Sequence, residues 1–254
     1  MQISFRPLHP IPVPDKEENA IATYVIADIH GEYDKFIELL DRIRLQDEDT
    51  LYILGDVLDR GPHPIKVVLK LMEMPNAFLI AGNHELMALS CLDTLRKEIT
   101  EASVAEIDDE FVARLMNWQM NGSQTTLDEF DVLDPEMQEE VVEYLQDALL
   151  YEELSVSGRD YLLVHAGLGN FSPEKPLDDY TVDELVWERP DYSRAYYPDK
   201  YVVTGHTPTA HIRENPRPYY IYRSNNHIAI DCGACFPDGR LAAICLDTDE
   251  EYYV

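Results

Sequence analysis

The tightest constraint on this chain is a recurrence. Five times, a short apolar, β-branched run ends in a loop built from Asp, His, Asn and Gly. Asp28-Ile29-His30-Gly31 follows the run Thr23 to Ala27, and Gly55-Asp56-Val57-Leu58-Asp59-Arg60-Gly61 follows Leu51 to Leu54. Gly82-Asn83-His84-Glu85 follows Ala77 to Ile80, while His165-Ala166-Gly167 and Gly205-His206-Thr207 close two later runs, Tyr161 to Val164 and Tyr201 to Val203. Between the first runs apolar residues return at helical spacing: Phe36, Ile37, Leu39, Leu40 and Ile43, then a helix from about Pro64 to Met74, then one from His84 through Leu95. Pro64 suits a first helical turn, where its missing N–H has no partner to lose. Strand, loop and helix repeated in this order predict an α/β sheet with crossover connections. Ligands of such sheets gather at the carboxyl ends of strands, so five loops spread over about 180 residues can meet at one site.

The flanking segments read differently. Residues 6–14 hold four prolines, which favours an extended arm, and the arm is taken as residues 1–20. Residues 21–254 read as one domain, interrupted at about 96–153 by an acidic insertion with 17 acidic and 3 basic side chains. Within it Phe111, Leu115 and Trp118, and then Val141, Leu145 and Leu149, recur at helical spacing, predicting two or three helices. Runs at His227 to Ile230 and Leu241 to Leu246 predict final strands, joined around Pro237-Asp238-Gly239.

Charge excludes whole classes of function. The formal net charge is −29, and no stretch has a sustained Lys/Arg excess, so the basic face that nucleic-acid binding requires is missing. The same argument excludes an anionic membrane surface as a partner. With 45% hydrophobic residues the chain can still build a sizeable core. No apolar run approaches the roughly 18 to 20 residues that span a bilayer, and Met1 to Pro7 has no signal-type apolar stretch, so the expected location is cytoplasmic. Cys232-Gly233-Ala234-Cys235 has no second ligand pair near it and reads as small buried thiols rather than a zinc or redox motif.

The five loops carry one kind of chemistry. Two aspartates, one asparagine and three histidines form a mixed oxygen and nitrogen set that suits borderline divalent metals such as manganese, iron or zinc. Six protein ligands are too many for one open catalytic ion and fit two ions that share a carboxylate.

This motif series resembles that of the calcineurin-like metallophosphoesterases. The intact Asp59-Arg60-Gly61 and Gly82-Asn83-His84-Glu85 forms are similar in particular to the phosphoprotein phosphatase branch, with its bacterial and phage serine/threonine phosphatases and the related symmetrical dinucleoside tetraphosphate hydrolases. The likeness runs from residue 28 to about 235. It implies a β-sandwich flanked by helices, of mixed α/β (α+β) class, which refines the single sheet read from the pattern. It also implies that Asp28, His30 and Asp56 hold a first metal, and that Asp56, Asn83, His165 and His206 hold a second.

Two such ions, about 4 Å apart, acidify a shared water and grip phosphoryl oxygens, setting up in-line attack on phosphorus. An alkoxide leaving group needs a proton, and His84 is the candidate acid because it adjoins Asn83 without being needed as a ligand. Asp59 would accept a hydrogen bond from its ring and orient it. Arg60 would place its planar fork on phosphoryl oxygens, the alternative being a surface ion pair. A second phosphate-binding arginine is expected in Val186-Trp187-Glu188-Arg189-Pro190, where Arg189 is the choice and a salt bridge beside a buried Trp187 the alternative. His63, His211 and His227 read as surface or supporting residues, and Tyr219-Tyr220-Ile221-Tyr222-Arg223 as packing or a groove border. Trp118 to Gly122 with Thr125 resembles a segment of bacterial members and is expected to fix the insertion against the core.

The expected activity is hydrolysis of phosphoserine or phosphothreonine monoesters by a dinuclear metal-dependent phosphatase. The alternative is a symmetrical dinucleoside tetraphosphate (diadenosine tetraphosphate) hydrolase. The substrate is accordingly a phosphoprotein or a small phosphoester. An acidic insertion bordering the groove would disfavour acidic phosphopeptides.

Overall fold

The computed structural model describes residues 21–98, 100 and 107–254. The proline-rich arm and the start of the acidic stretch, at 99 and 101–106, lie outside the described residues. The first half alternates as predicted: β1 (Thr23–Ile26), α1 (Tyr33–Ile43), β2 (Thr50–Leu54), α2 (Pro64–Met72), β3 (Ala77–Ile80) and α3 (Asn83–Leu95). Among the described residues of the acidic stretch come three helices, α4 (Asp109–Met120), α5 (Gln124–Asp131) and α6 (Pro135–Gln146). Next come β4 (Tyr151–Val156), β5 (Arg159–Val164), the short α7 (Val182–Val186) and β6 (Lys200–Thr204). The chain ends in β7 (Tyr222–Ser224), β8 (His227–Ala229), β9 (Ala242–Cys245) and β10 (Glu251–Tyr253).

These strands make two five-stranded sheets, ordered β10-β9-β1-β2-β3 and β4-β5-β6-β8-β7. In the first, β1, β2 and β3 run parallel and β9 returns antiparallel to β1. In the second, β5, β6 and β8 run parallel between antiparallel edges. The mixed α/β architecture is therefore a sandwich flanked by helices, and the single sheet suggested by the crossover pattern is replaced by two. The predicted last two strands fall in different sheets, so the Pro237 to Gly239 segment carries the chain across the sandwich instead of closing a hairpin. Strands β4, β7 and β10 escaped the sequence pattern because they are edges, where Glu152, Glu153, Arg223 and Glu251 dilute the apolar signal.

Side chains alternate between two faces of each strand, and the core divides accordingly. Val25, Leu54, Ile80, Leu163, Val203, Ile228 and Ile244 fill the space between the sheets. On the other face of the first sheet Tyr24, Ile26, Leu51, Ile53 and Leu79 meet the helices. The acidic stretch shares this same core through Phe111, Trp118, Phe130, Val141, Val142 and Leu145, all buried. Its end also lies earlier than the sequence suggested, because β4 begins at Tyr151. Outside the second sheet, Leu185 and Val186 of α7 cover Leu162, Val164 and Val202.

Candidate active site

The five loops do converge, and the backbone that aims them is unusual. Six of the ten candidate site residues lie in the left-handed region: Asp28, His30, Asp56, Asp59, Arg60 and His206, with φ between 46° and 68°. Asp and His tolerate that region better than most side chains, yet each such residue is held there by its surroundings. Gly55 also has φ of 71°, and a Cβ there would lie 2.5 Å from Gly82 N and 2.7 Å from the His165 ring. Only glycine lets the second and third loops approach this closely.

Asp56 stands at the centre. Its Oδ2 lies 3.6 Å from His30 Nε2 and 3.9 Å from His84 Nε2, while its Oδ1 lies 3.4 Å from His165 Nε2. Two groups of possible metal ligands thus share it: His30, Asp56 and His84 on one side, and Asp56, His165 and His206 on the other. Asn83 Oδ1 belongs with the second group, 3.1 Å from His165 Nε2 and 2.9 Å from His206 Nδ1. Asp28 is close but turned, both oxygens accepting from the His206 backbone N–H at 2.9 and 3.0 Å.

The ring nitrogens are prepared for ligation. His30 Nδ1–H donates to Leu58 O (2.9 Å) and His165 Nδ1–H to Leu54 O (2.6 Å). A carbonyl can only accept, so both rings keep the Nε2 lone pair facing the site. Burial pushes His30 and His206 down to about 3 and lowers His165 as well. The carboxylates are crowded: burial, then the charges of Asp231 and Asp56, raises Asp28, and burial pushes Asp231 up to about 7. Asp56 stays ionised, burial being outweighed by the surrounding imidazoles. Imidazole lone pairs and crowded carboxyl groups make a mixed nitrogen and oxygen donor set that fits divalent cations.

Beside this centre His84 Nδ1–H donates to Asp59 Oδ2 at 2.6 Å, both residues fully buried. Burial disfavours the His84 cation, but Asp56 and Asp59 outweigh it and hold the ring above the usual histidine value. The Arg60 guanidinium donates to His30 Nε2 (2.7 Å) and lies 2.9 Å from His84 Nε2, so it stands over the first ligand group rather than in a surface ion pair. Arg189 is exposed and close enough to His206 for its charge to depress that ring. Its neighbour Trp187 is 41% exposed and edge-on to His206 at 6.1 Å, so the alternative reading, a salt bridge beside a buried tryptophan, does not fit.

Several supporting residues had no sequence signal, or a misread one. Glu85 is fully buried and accepts backbone N–H bonds from Asp56, Val57, Leu58 and Gly82, tying the second and third loops together. Trp118 and Thr126, from the acidic helices, bond Asp59, and it is Thr126 rather than Thr125 that does so. Asp231 adds a second buried carboxyl group beside Asp28. His227 is not a surface residue: it is buried, donates from Nε2 to Arg194 O (3.1 Å), and sits edge-on to Tyr192 and Tyr196. His211 is exposed as expected, and Tyr220 and Tyr222 pack against Tyr253 and Tyr192. The cysteines are free, and Cys232 is buried.

A sandwich with paired, carboxylate-bridged ligand groups at its strand ends defines a metal-dependent phosphoesterase scaffold. The calcineurin-like phosphoesterase family model matches residues 21–245, and the chain belongs to that family. The chain is 26% identical over 250 residues to the asymmetrical bis(5′-nucleosyl)-tetraphosphatase PrpE of Halalkalibacterium halodurans, covering 87% of this chain and 88% of that one. A symmetrical bis(5′-nucleosyl)-tetraphosphatase of Salmonella paratyphi A is 33% identical over 101 residues, covering 39% of this chain and only 36% of that relative's length. Among solved structures, one provisionally described as a diadenosine tetraphosphatase aligns with TM-score 0.62 at 20% identity, covering 93% of this chain and 94% of that one. A cold-active protein-tyrosine phosphatase of a Shewanella species aligns with TM-score 0.53 at 16% identity, covering 92% and 80%. These two likenesses are of fold. No helix among the described residues is long and apolar enough to cross a membrane.

Proposed function

We propose that the chain is a metal-dependent hydrolase of dinucleoside tetraphosphates. The observation that carries this reading is the end-to-end likeness to the asymmetrical bis(5′-nucleosyl)-tetraphosphatase, which covers both chains almost wholly. It favours the alternative drawn from the motifs over the serine/threonine phosphatase that they first suggested. The reading takes residues 21–254 as one domain.

In this reading His30, Asp28 and Asp56 would hold one divalent ion, and Asp56, Asn83, His165 and His206 a second. When bound, the ions would supply Lewis-acid charge to phosphoryl oxygens and acidify the attacking water. Arg60 and Arg189 grip the phosphate chain, Arg60 with a planar fork. His84, held by Asp59, gives its Nε2 proton to the departing oxygen.

The test is turnover with manganese on diadenosine tetraphosphate, a phosphoserine peptide and a phosphotyrosine peptide, with products resolved by chromatography. The expected result is kcat/KM on the dinucleotide at least about tenfold above either peptide, a gap of roughly 1.4 kcal/mol. Paired ADP marks symmetrical cleavage, and ATP with AMP asymmetrical cleavage. A phosphopeptide preferred over the dinucleotide would overturn the reading.

A further inference from the structure

We infer that the acidic helices α4 and α5 are part of the catalytic unit, with Trp118 and Thr126 acting as positioning residues for the proton donor His84 through Asp59. This rests on the reading of His84 as the acid. Asp59 is fully buried, and a carboxylate there must have its acceptor sites filled. Three side-chain donors do this, and a fourth bond satisfies the Asp59 backbone N–H. Asp59 Oδ2 is shared by His84 Nδ1–H (2.6 Å) and Trp118 Nε1–H (2.8 Å). Oδ1 accepts from Thr126 Oγ1–H (2.6 Å), and that same hydroxyl oxygen accepts the Asp59 backbone N–H (3.0 Å). Trp118 and Thr126 are themselves fully buried.

The geometry assigns each donor a task. Thr126 holds both the main chain and the carboxylate of Asp59, so the plane of that carboxylate is set from α5. Trp118, from α4, fixes the oxygen that faces the imidazole. Asp59 sits at φ of 68°, and Arg60 after it also at 68°, so the local chain does not select this arrangement unaided. The turn between the two helices secures the next residue as well: Arg60 N–H donates to Gly122 O (3.0 Å), and a Cβ on Gly122 would lie 3.0 Å from Arg60 Cγ. One helical hairpin therefore sets the orientation of the acid and the seat of the phosphate-binding arginine. An appended packing element would need neither a shared carboxylate oxygen nor a reciprocal hydroxyl bond.

The test separates positioning from stability. Wild type, Trp118→Phe, Thr126→Val, Thr126→Ser and His84→Asn are assayed with manganese on phenyl phosphate, a poor leaving group, and on p-nitrophenyl phosphate, a good one. Melting temperatures are recorded alongside. Trp118→Phe and Thr126→Val should lose at least about tenfold more kcat on the phenyl than on the nitrophenyl ester, within the range general acids supply, with KM changed less than about twofold. Thr126→Ser should keep wild-type selectivity. The chain has two tryptophans, so the Trp118 indole N–H is readily resolved by NMR, and it should move on His84→Asn because the two groups share one oxygen. If wild type turns over neither aryl ester, that resonance alone decides. Equal losses on both esters in the Trp118 and Thr126 variants, or an unmoved indole signal, would overturn the inference. Equal losses in His84→Asn itself would instead remove the acid assignment on which it rests.

Discussion

Asp56 gives one carboxylate oxygen to each of two imidazole groups, and no other residue in the site occupies both. Replacing it with asparagine removes the charge and one acceptor while nearly keeping the shape. Asp56→Asn is expected to lower turnover by more than about 100-fold, beyond what outer-shell partners usually cost, and to leave fewer than two ions per chain by elemental analysis. Full activity with two ions retained would remove Asp56 from the centre. At this scale the sequence was most legible where chemistry and position coincide, as in Asp28, His30 and Asp56, because a short polar motif behind a strand advertises itself. Glu85 and Asp231 were not legible. Their roles depend on which backbone N–H groups and charges come near in three dimensions, and no spacing along the chain encodes that.

Among the elements, the acidic helices are tied to the rest of the molecule through their apolar faces. Residues 96–153 hold 17 acidic side chains, yet it is the apolar minority that decides where the helices lie. One of the acids also has a partner: Glu129 of α5 accepts from the backbone N–H of Ile65 (2.9 Å) and from His63 Nδ1 (2.8 Å). His63, the N-cap of α2, accepts no bond from the first N–H groups of the helix, so a carboxylate from another helix meets those groups and the dipole. Glu129→Ala should cost about 1 kcal/mol, as loss of an N-cap does, and lower the melting temperature by roughly 2 to 4 °C. No change in melting temperature would mean that water replaces the cap. The helices and their attachment through the Trp118 segment were visible in the sequence; the individual partners, Asp59 and Ile65 among them, were not, since buried faces show in periodicity while partners do not.

For the molecule as a whole, the candidate ligands divide between the sheets. Asp28, His30, Asp56 and Asn83 follow strands of one sheet, and His165 and His206 follow strands of the other. Divalent ions bound there would favour the folded chain by mass action. At about 100 times the dissociation constant the gain is roughly 2.7 kcal/mol, a rise of about 5 to 10 °C in melting temperature. Adding manganese to chelator-treated protein should produce that rise, and Asp56→Asn should blunt it; an unchanged transition in wild type would count against a metal centre. Two sheets were implied by the motif resemblance and not by the strand pattern, because hydrophobic runs say that a strand is buried without saying against what. The division has a further effect on how damage would show itself. A site stitched across the seam of two sheets works as a vernier: sliding one sheet by a fraction of an ångström would barely register in the bulk of the core, yet would pull the ligand set apart. Substitutions between the sheets, at Leu54, Ile80 or Val203 for example, should therefore announce themselves in turnover before they do in melting.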